Sequence, residues 1–128
     1  MTKKRFLSIA IVLILLLLVG GGLCLLLKKD KTVGSFMLTD YSDFIERFPS
    51  EKMVGRIDSV QTAMEKAEVV WKEIYGDEVK DVKPYKASFD DKNRVWLIEG
   101  TLRKKMVGGV PHILIQEDGR VLAIWHDK

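Results

Sequence analysis

The chain has 128 residues, enough for one domain and a short additional segment. Residues 1–31 hold six basic residues and one acidic residue, which leaves 15 basic and 17 acidic residues in the remainder. This near-neutral remainder excludes the basic footprint of a nucleic-acid-binding domain. The single cysteine, Cys24, excludes an intrachain disulfide and a cysteine-based metal site.

The first predicted element is a transmembrane helix. The stretch 6–27 has no charged residue, and about 20 apolar residues span a bilayer as a helix. Its length argues against a cleaved signal peptide, and Leu23 before Cys24 argues against a lipoprotein signal. We expect a basic flank at 1–5 and an uncleaved single-pass anchor in the cell membrane. A first helix usually keeps its basic N-terminus in the cytoplasm. The C-terminal domain is therefore expected on the other side of the membrane, outside the cytoplasm.

A linker and a short helical segment are predicted for 28–54. From Asp40 to Phe48, aromatic and aliphatic residues fall at helical spacing, and Pro49 ends the pattern.

The strongest helix signal runs from about Ser59 to Tyr75. Asp58 is its predicted N-cap, with Gln61 as capping-box partner, and Gly76 is its predicted stop. Apolar residues recur at steps of three and four and form one stripe, which is more often core than a ligand site. The stripe consists of Val60, Ala63, Met64, Ala67, Val70, Trp71, Ile74 and Tyr75.

Four strands are predicted after the helix, and Asp118-Gly119 is a hairpin signal between the last two. The predicted fold class is α+β, with one amphipathic helix packed on a curved four-stranded antiparallel sheet, preceded by the N-terminal transmembrane helix. The strands run from Val82 to Phe89, Arg94 to Leu102, His112 to Gln116 and Arg120 to His126.

The predicted hairpin turn fixes which residues face each other. Ile113 pairs with Ile124 and His112 with Trp125, while Ile115 pairs with Leu122. Ile113, Ile115, Leu122 and Ile124 then face the helix. The outer face is too apolar for solvent exposure, so either the segment 36–48 covers it or it is a recognition surface. This face carries His112, Leu114, Gln116, Val121, Ala123 and Trp125.

Two histidines are the only candidates for metal binding or proton transfer. In the predicted register, His112 and His126 lie on opposite faces and cannot share a metal ion. No carboxylate stands at a strong ligand spacing to either, and no nucleophile motif or phosphate loop is present. The sequence predicts no enzyme activity, no cofactor and no small-molecule substrate.

Residues 55–128 carry a series of motifs in a definite order. They are Ala67-Glu68-Val69-Val70-Trp71, Ile74-Tyr75-Gly76, Lys83-Pro84-Tyr85, Trp96-Leu97-Ile98-Glu99-Gly100-Thr101-Leu102, Gly108-Gly109-Val110-Pro111 and Asp118-Gly119-Arg120-Val121-Leu122. In this order and spacing, the region resembles bacterial immunity proteins with a nuclear-transport-factor-2-like fold, which neutralise the toxin domains of polymorphic toxin systems. The resemblance implies a small cone-like fold and a cognate toxin domain as protein partner, blocked by stoichiometric occlusion.

The partner-binding residues expected under this interpretation lie on the outer sheet face and on an adjoining loop. Two other functions stay open: a membrane-anchored envelope module that inhibits or senses a peptidase, and a small cone-fold enzyme. A neighbouring gene that encodes a large secreted toxin would favour the immunity function over these two alternatives. The expected binding residues are His112, Val121 and Trp125 on the sheet, and Arg103, Lys104 and Lys105 on the loop.

Overall fold

A five-stranded sheet is the centre of the computed structural model, which describes residues 33–102 and 109–127. The first strand pairs in parallel with the second, and all other neighbours are antiparallel. The α+β prediction is confirmed. The prediction of four strands is wrong, because a two-residue strand in the segment predicted as a linker adds a fifth. In spatial order, the strands are β1 (Gly34–Ser35), β2 (Lys86–Asp90), β3 (Val95–Glu99), β4 (Pro111–Gln116) and β5 (Val121–His126).

Two α-helices, α1 (Ser42–Arg47) and α2 (Val60–Tyr75), belong to the described part of the fold. The sequence predicts both, although a short 3-10 helix, Leu38–Tyr41, precedes α1. The N-cap of α2 is Ser59 and not Asp58, since Ser59 Oγ accepts a hydrogen bond from the Thr62 backbone N–H at 3.1 Å.

Helix α2 packs its apolar stripe on one face of the sheet. Ala63, Ala67, Val70 and Trp71 are buried there, but Ile74, at the end of the predicted stripe, is 46% exposed. We call the buried residues on this side of the sheet the helix-side core; its sheet residues are Ala87, Ile98, Ile113, Ile115 and Val121.

The strand predicted from Val82 to Phe89 begins later in the structure, after a 3-10 helix that ends at Val82. Asp77–Val82 forms a 3-10 helix, and β2 begins only at Lys86. The Tyr85 hydroxyl donates a hydrogen bond to the Val79 carbonyl at 3.1 Å, and Val79 and Val82 are buried in the helix-side core. The apolar residues of this segment therefore fill the core from a helical turn.

The opposite face of the sheet is covered by residues 36–48, which we call the covering segment. Val95, Leu97, Leu114, Ala123 and Trp125 form a second buried cluster on this face. The side chains that pack on it from the covering segment are Phe36, Leu38, Tyr41, Phe44 and Ile45. Of the two possibilities for this face, coverage by residues 36–48 is the one that the structure shows.

A register shift in the β4–β5 hairpin changes which residues point to each side. The pairs Ile113–Ile124 and His112–Trp125 are as predicted, but Ile115 pairs with Val121 instead of Leu122. Leu122 is the additional residue of a bulge, which moves Val121 to the other face of the sheet. Val121 is therefore fully buried in the helix-side core, while Leu122 packs against the cluster under the covering segment.

The edge of β5 that does not pair with β4 forms backbone hydrogen bonds with residues 48–57, which we call the edge segment. The Val121 N–H donates to the Lys52 carbonyl at 2.9 Å, and the Val54 N–H donates to the Gly119 carbonyl at 2.8 Å. Further bonds join Phe48, Ser50 and Ile57 to the hairpin.

Several predictions concern residues outside the described ranges. The predicted anchor at 6–27 and the loop residues Arg103, Lys104 and Lys105 are among them. Within 33–102 and 109–127, the structure contains no helix with the length and apolar character needed to cross a membrane.

Candidate functional site: a cleft around His112

His112 lies between two carboxylates on the side of the sheet that faces the covering segment. Strand pairing places it directly opposite Glu99 of β3 and Trp125 of β5, so that the three side chains share a face. His112 Nδ1 is 2.7 Å from Glu99 Oε2, and His112 Nε2 is 2.8 Å from Asp127 Oδ2. The ring therefore joins β3 to the end of β5 through side chains.

The two carboxylate contacts favour the protonated form of His112. When Glu99 and Asp127 are ionised, each only accepts hydrogen bonds, so both ring nitrogens then donate and the ring is then an imidazolium. Burial alone would lower the pKa of His112, but the hydrogen bonds and negative charges of Glu99 and Asp127 outweigh burial and raise the pKa above its ordinary value.

An aromatic stack holds the His112 ring in place. Its ring lies parallel to Trp125, with 5.0 Å between centroids and 6° between planes. Phe44 of α1 stacks on Trp125 at 4.6 Å, and Tyr41 lies 6.0 Å from the same indole. Because Phe44 and Tyr41 belong to the covering segment, the position of that segment and the position of His112 are linked through Trp125.

Asp90, at the end of β2, fixes the start of the covering segment. Its Oδ2 accepts hydrogen bonds from the Leu38 backbone N–H at 2.8 Å and from Asn93 Nδ2 at 2.9 Å. Its Oδ1 accepts one from the Asn93 backbone N–H at 3.0 Å. The bonds from Asn93, followed by the bond from Leu38, lower the pKa of Asp90 to about 2.

A cleft of about 540 Å³ opens between the covering segment and the row formed by Glu99, His112 and Trp125. The described residues that line it include three carboxylates and, with His112 protonated, one imidazolium, which together carry a net charge of −2. Burial, followed by the charges of Glu99 and Asp40, raises the pKa of Tyr41. The cleft is lined by Ser35, Phe36, Asp40, Tyr41, Phe44, Glu99, His112, Trp125 and Asp127.

The structure brings two of the predicted binding residues together and separates a third from them. His112 and Trp125 both line the cleft, but they are only 9% and 5% exposed. Placing Val121 on the outer face is wrong, because the bulge turns it into the helix-side core with 0% exposure. The carboxylates at the rim are the more accessible groups, with the Asp127 side chain 52% exposed.

Sequence reasoning missed the carboxylates of this site. No carboxylate stands at a strong ligand spacing to His112 along the sequence, but Glu99 and Asp127 reach it across the sheet. The prediction that the histidines lie on opposite faces is confirmed, since the ring of His126 lies 5.4 Å from Tyr75 of α2. In the described ranges, no group of three or more His, Cys, Asp or Glu residues is arranged to hold a metal ion.

Comparison with protein families gives a match to the C-terminal half of the chain. A family model described as NTF2 fold immunity protein matches residues 62–128, which is more than half of the chain. The matched region takes in nearly all of α2, the strands β2 to β5, and Glu99, His112 and Asp127 of the cleft. No curated protein and no solved structure matches the chain.

Proposed function

The chain belongs to the NTF2 fold immunity protein family, and from this premise we propose that it binds a cognate toxin domain and neutralises it by stoichiometric occlusion. The family match over residues 62–128 is the observation that carries the proposal. The family implies a protein toxin as partner and suggests a role without catalysis.

The state of His112 supports occlusion over turnover. A general base needs a ring nitrogen with a free lone pair within reach of its substrate. Both nitrogens of His112 donate to carboxylates, and the ring is buried between Trp125 and its hydrogen-bond partners. In its protonated form, His112 therefore holds Glu99 and Asp127 in place.

The surface that we propose for the toxin is the mouth of the cleft and the part of the covering segment beside it. Asp40, Tyr41 and Asp127 line the cleft from its accessible side. Trp125 and His112 support these residues from below, so their contribution to binding is indirect. A stable protein interface buries about 800 Å² on each partner, so the toxin domain must also contact the surface around the cleft.

Neutralisation by occlusion requires tight binding. A nanomolar dissociation constant corresponds to about −12 kcal/mol. Interfaces reach such values through a few well-packed residues, with charged groups at the rim that accelerate association. The acidic mouth of the cleft supplies rim charges of this kind.

The test is a titration of the full-length protein against the toxin domain encoded by a neighbouring gene. Residual toxin activity should fall linearly to zero at an equimolar ratio. Protection at a small fraction of that ratio would show turnover and contradict the proposal. A toxin domain that keeps full activity at excess protein would show that the proposed function is wrong.

We also propose, from the sequence alone, that the protein is held in the cell membrane by residues 6–27, with its C-terminal domain outside the cytoplasm. The full-length protein should stay in the membrane fraction after high-salt and carbonate washing. N-terminal sequencing that begins near residue 25 would show cleavage and contradict the anchor.

A further inference from the structure

We propose that the cleft receives an arginine side chain of the partner protein, an inference that rests on the proposed function. Unused hydrogen-bond acceptors, net charge and shape in the described part of the cleft each point to a guanidinium group.

The first observation is a set of carboxylate oxygens that accept no hydrogen bond from any residue in 33–102 or 109–127. Glu99 and Asp127 each use one oxygen, Oε2 and Oδ2, to accept from His112, which leaves Glu99 Oε1 and Asp127 Oδ1. The Asp40 carboxylate has no hydrogen bond or ion pair to any residue that the structure describes. The cleft therefore presents acceptors from three elements, namely β3, the end of β5 and the covering segment.

The second observation is the sign of the charge. The His112 imidazolium offsets one of the three carboxylates, and its two N–H groups are already used. An incoming anion would find no free donor on His112 and would be repelled by Asp40, Glu99 and Asp127. A cation would relieve the repulsion among these carboxylates.

The third observation is the shape of the cleft and the rigidity of its floor. Phe44 and His112 both stack on the Trp125 indole, so that the floor cannot easily rearrange. Phe36 and Tyr41 form a wall in edge-to-face contact at 5.5 Å. Arginine has a planar group with five N–H donors that can reach several acceptors at once, whereas lysine has a single point of charge.

The inference can first be tested without the toxin. The probe is the peptide acetyl-Gly-Arg-Gly-amide, added to the full-length chain while NMR signals of Trp125 and His112 are followed. These signals should shift and saturate with the arginine peptide, and shift less with the matched lysine peptide. Equal shifts with a glutamine peptide, larger shifts with a glutamate peptide, or no shift with arginine would overturn the inference.

A matched pair of variants assigns the binding to the cleft. Asp40→Asn should weaken binding of the arginine peptide by about two- to fivefold, the range for an exposed ion pair. Asp43→Asn is the control, because Asp43 pairs with Arg47 on the same segment and does not line the cleft. Equal affinity in the two variants would contradict a contact at Asp40.

A charge reversal then separates this inference from the proposed function. Asp40→Lys should raise the dissociation constant for the toxin domain by about tenfold or more, while Asp43→Lys should change it little. An unchanged thermal unfolding midpoint checks that both variants fold. If the unaltered protein neutralises the toxin and Asp40→Lys does so equally well, the arginine inference is wrong and the proposed function stands. If the unaltered protein does not neutralise the toxin, the proposed function itself is wrong.

Discussion

Replacing His112 by Gln should make the protein less stable below neutral pH and remove part of its pH dependence. Gln keeps an amide donor of similar reach but carries no charge at any pH. In the native protein, His112 donates to Glu99 at 2.7 Å and to Asp127 at 2.8 Å. The variant therefore tests the charge of the ring more than its size.

The size of the effect follows from the exposure of the two partners. The Glu99 side chain is 28% exposed, so a charged hydrogen bond to it contributes about 1.5–3 kcal/mol. The Asp127 side chain is 52% exposed, which reduces its pair to about 0–1 kcal/mol. Burying the imidazolium offsets part of this gain. We expect His112→Gln to lower the free energy of unfolding by about 1–3 kcal/mol at pH 6.

The sign of the pH dependence follows from the direction of the pKa shift. The folded protein raises the pKa of His112 above its ordinary value of 6.5, so the folded state binds the proton more tightly than the unfolded state. The stabilisation is fully present below pH 6.5 and is lost as the pH rises through the folded-state pKa. The difference in stability between the native protein and the variant should shrink over that interval.

Urea unfolding at a series of pH values from 5 to 9 measures this difference. His126→Gln is the matched control, because His126 lies on the α2 side of the sheet and its ring contacts Tyr75. If His112→Gln and the native protein keep the same difference in unfolding free energy at every pH, the imidazolium assignment is wrong.

Four further predictions concern the helix α2 and the hairpin, all read from urea unfolding midpoints. Trp71→Ala should lower the free energy of unfolding by about 3–5 kcal/mol, because the ring is fully buried. An unchanged urea midpoint would place the ring outside the core. Trp71→Phe should cost only about 1–2 kcal/mol, because it also removes an indole N–H without a partner in the described structure. Ser59→Ala should lower the free energy of unfolding by about 0.5–2 kcal/mol, and Asp58→Ala should lower it much less. A larger loss of stability for Asp58→Ala than for Ser59→Ala would contradict the observed cap. Gly119→Ala should cost more than about 1 kcal/mol, because φ is +98° and the new Cβ would lie 2.3 Å from the Gly55 carbonyl oxygen; a neutral result would contradict this geometry.

The long helix and three of the antiparallel strands could be predicted because their signals are local. The α2 stripe depends only on spacing along the chain, and it correctly places Ala67 and Trp71 in the core. Gly76 ends the helix with a φ of +84°, a conformation that glycine adopts readily. The two-residue strand Gly34–Ser35 has no such pattern, because it is defined by its pairing with Ser88 and Phe89.

The candidate site was less predictable because it depends on long-range pairing. A shift of one residue in a strand exchanges its two faces, and the bulge at Leu122 did this to Val121. The contact of His112 with Glu99 requires the β3–β4 register, which the intervening loop does not reveal from sequence. His112 and Trp125 were found together because they lie on the side of the bulge where the predicted register is correct.

The edge segment restricts how any protein can join this sheet. Many partners extend a sheet by adding a strand to an edge with unpaired backbone groups. On β5, Val121 and Ile124 already donate to Lys52 and Phe48, so an incoming strand would first have to displace the edge segment. At the other edge, β1 offers only two residues, too short for a strand of ordinary length. Recognition that uses the described part of the domain must therefore depend on side chains, whose identity can change between relatives while the backbone framework stays the same.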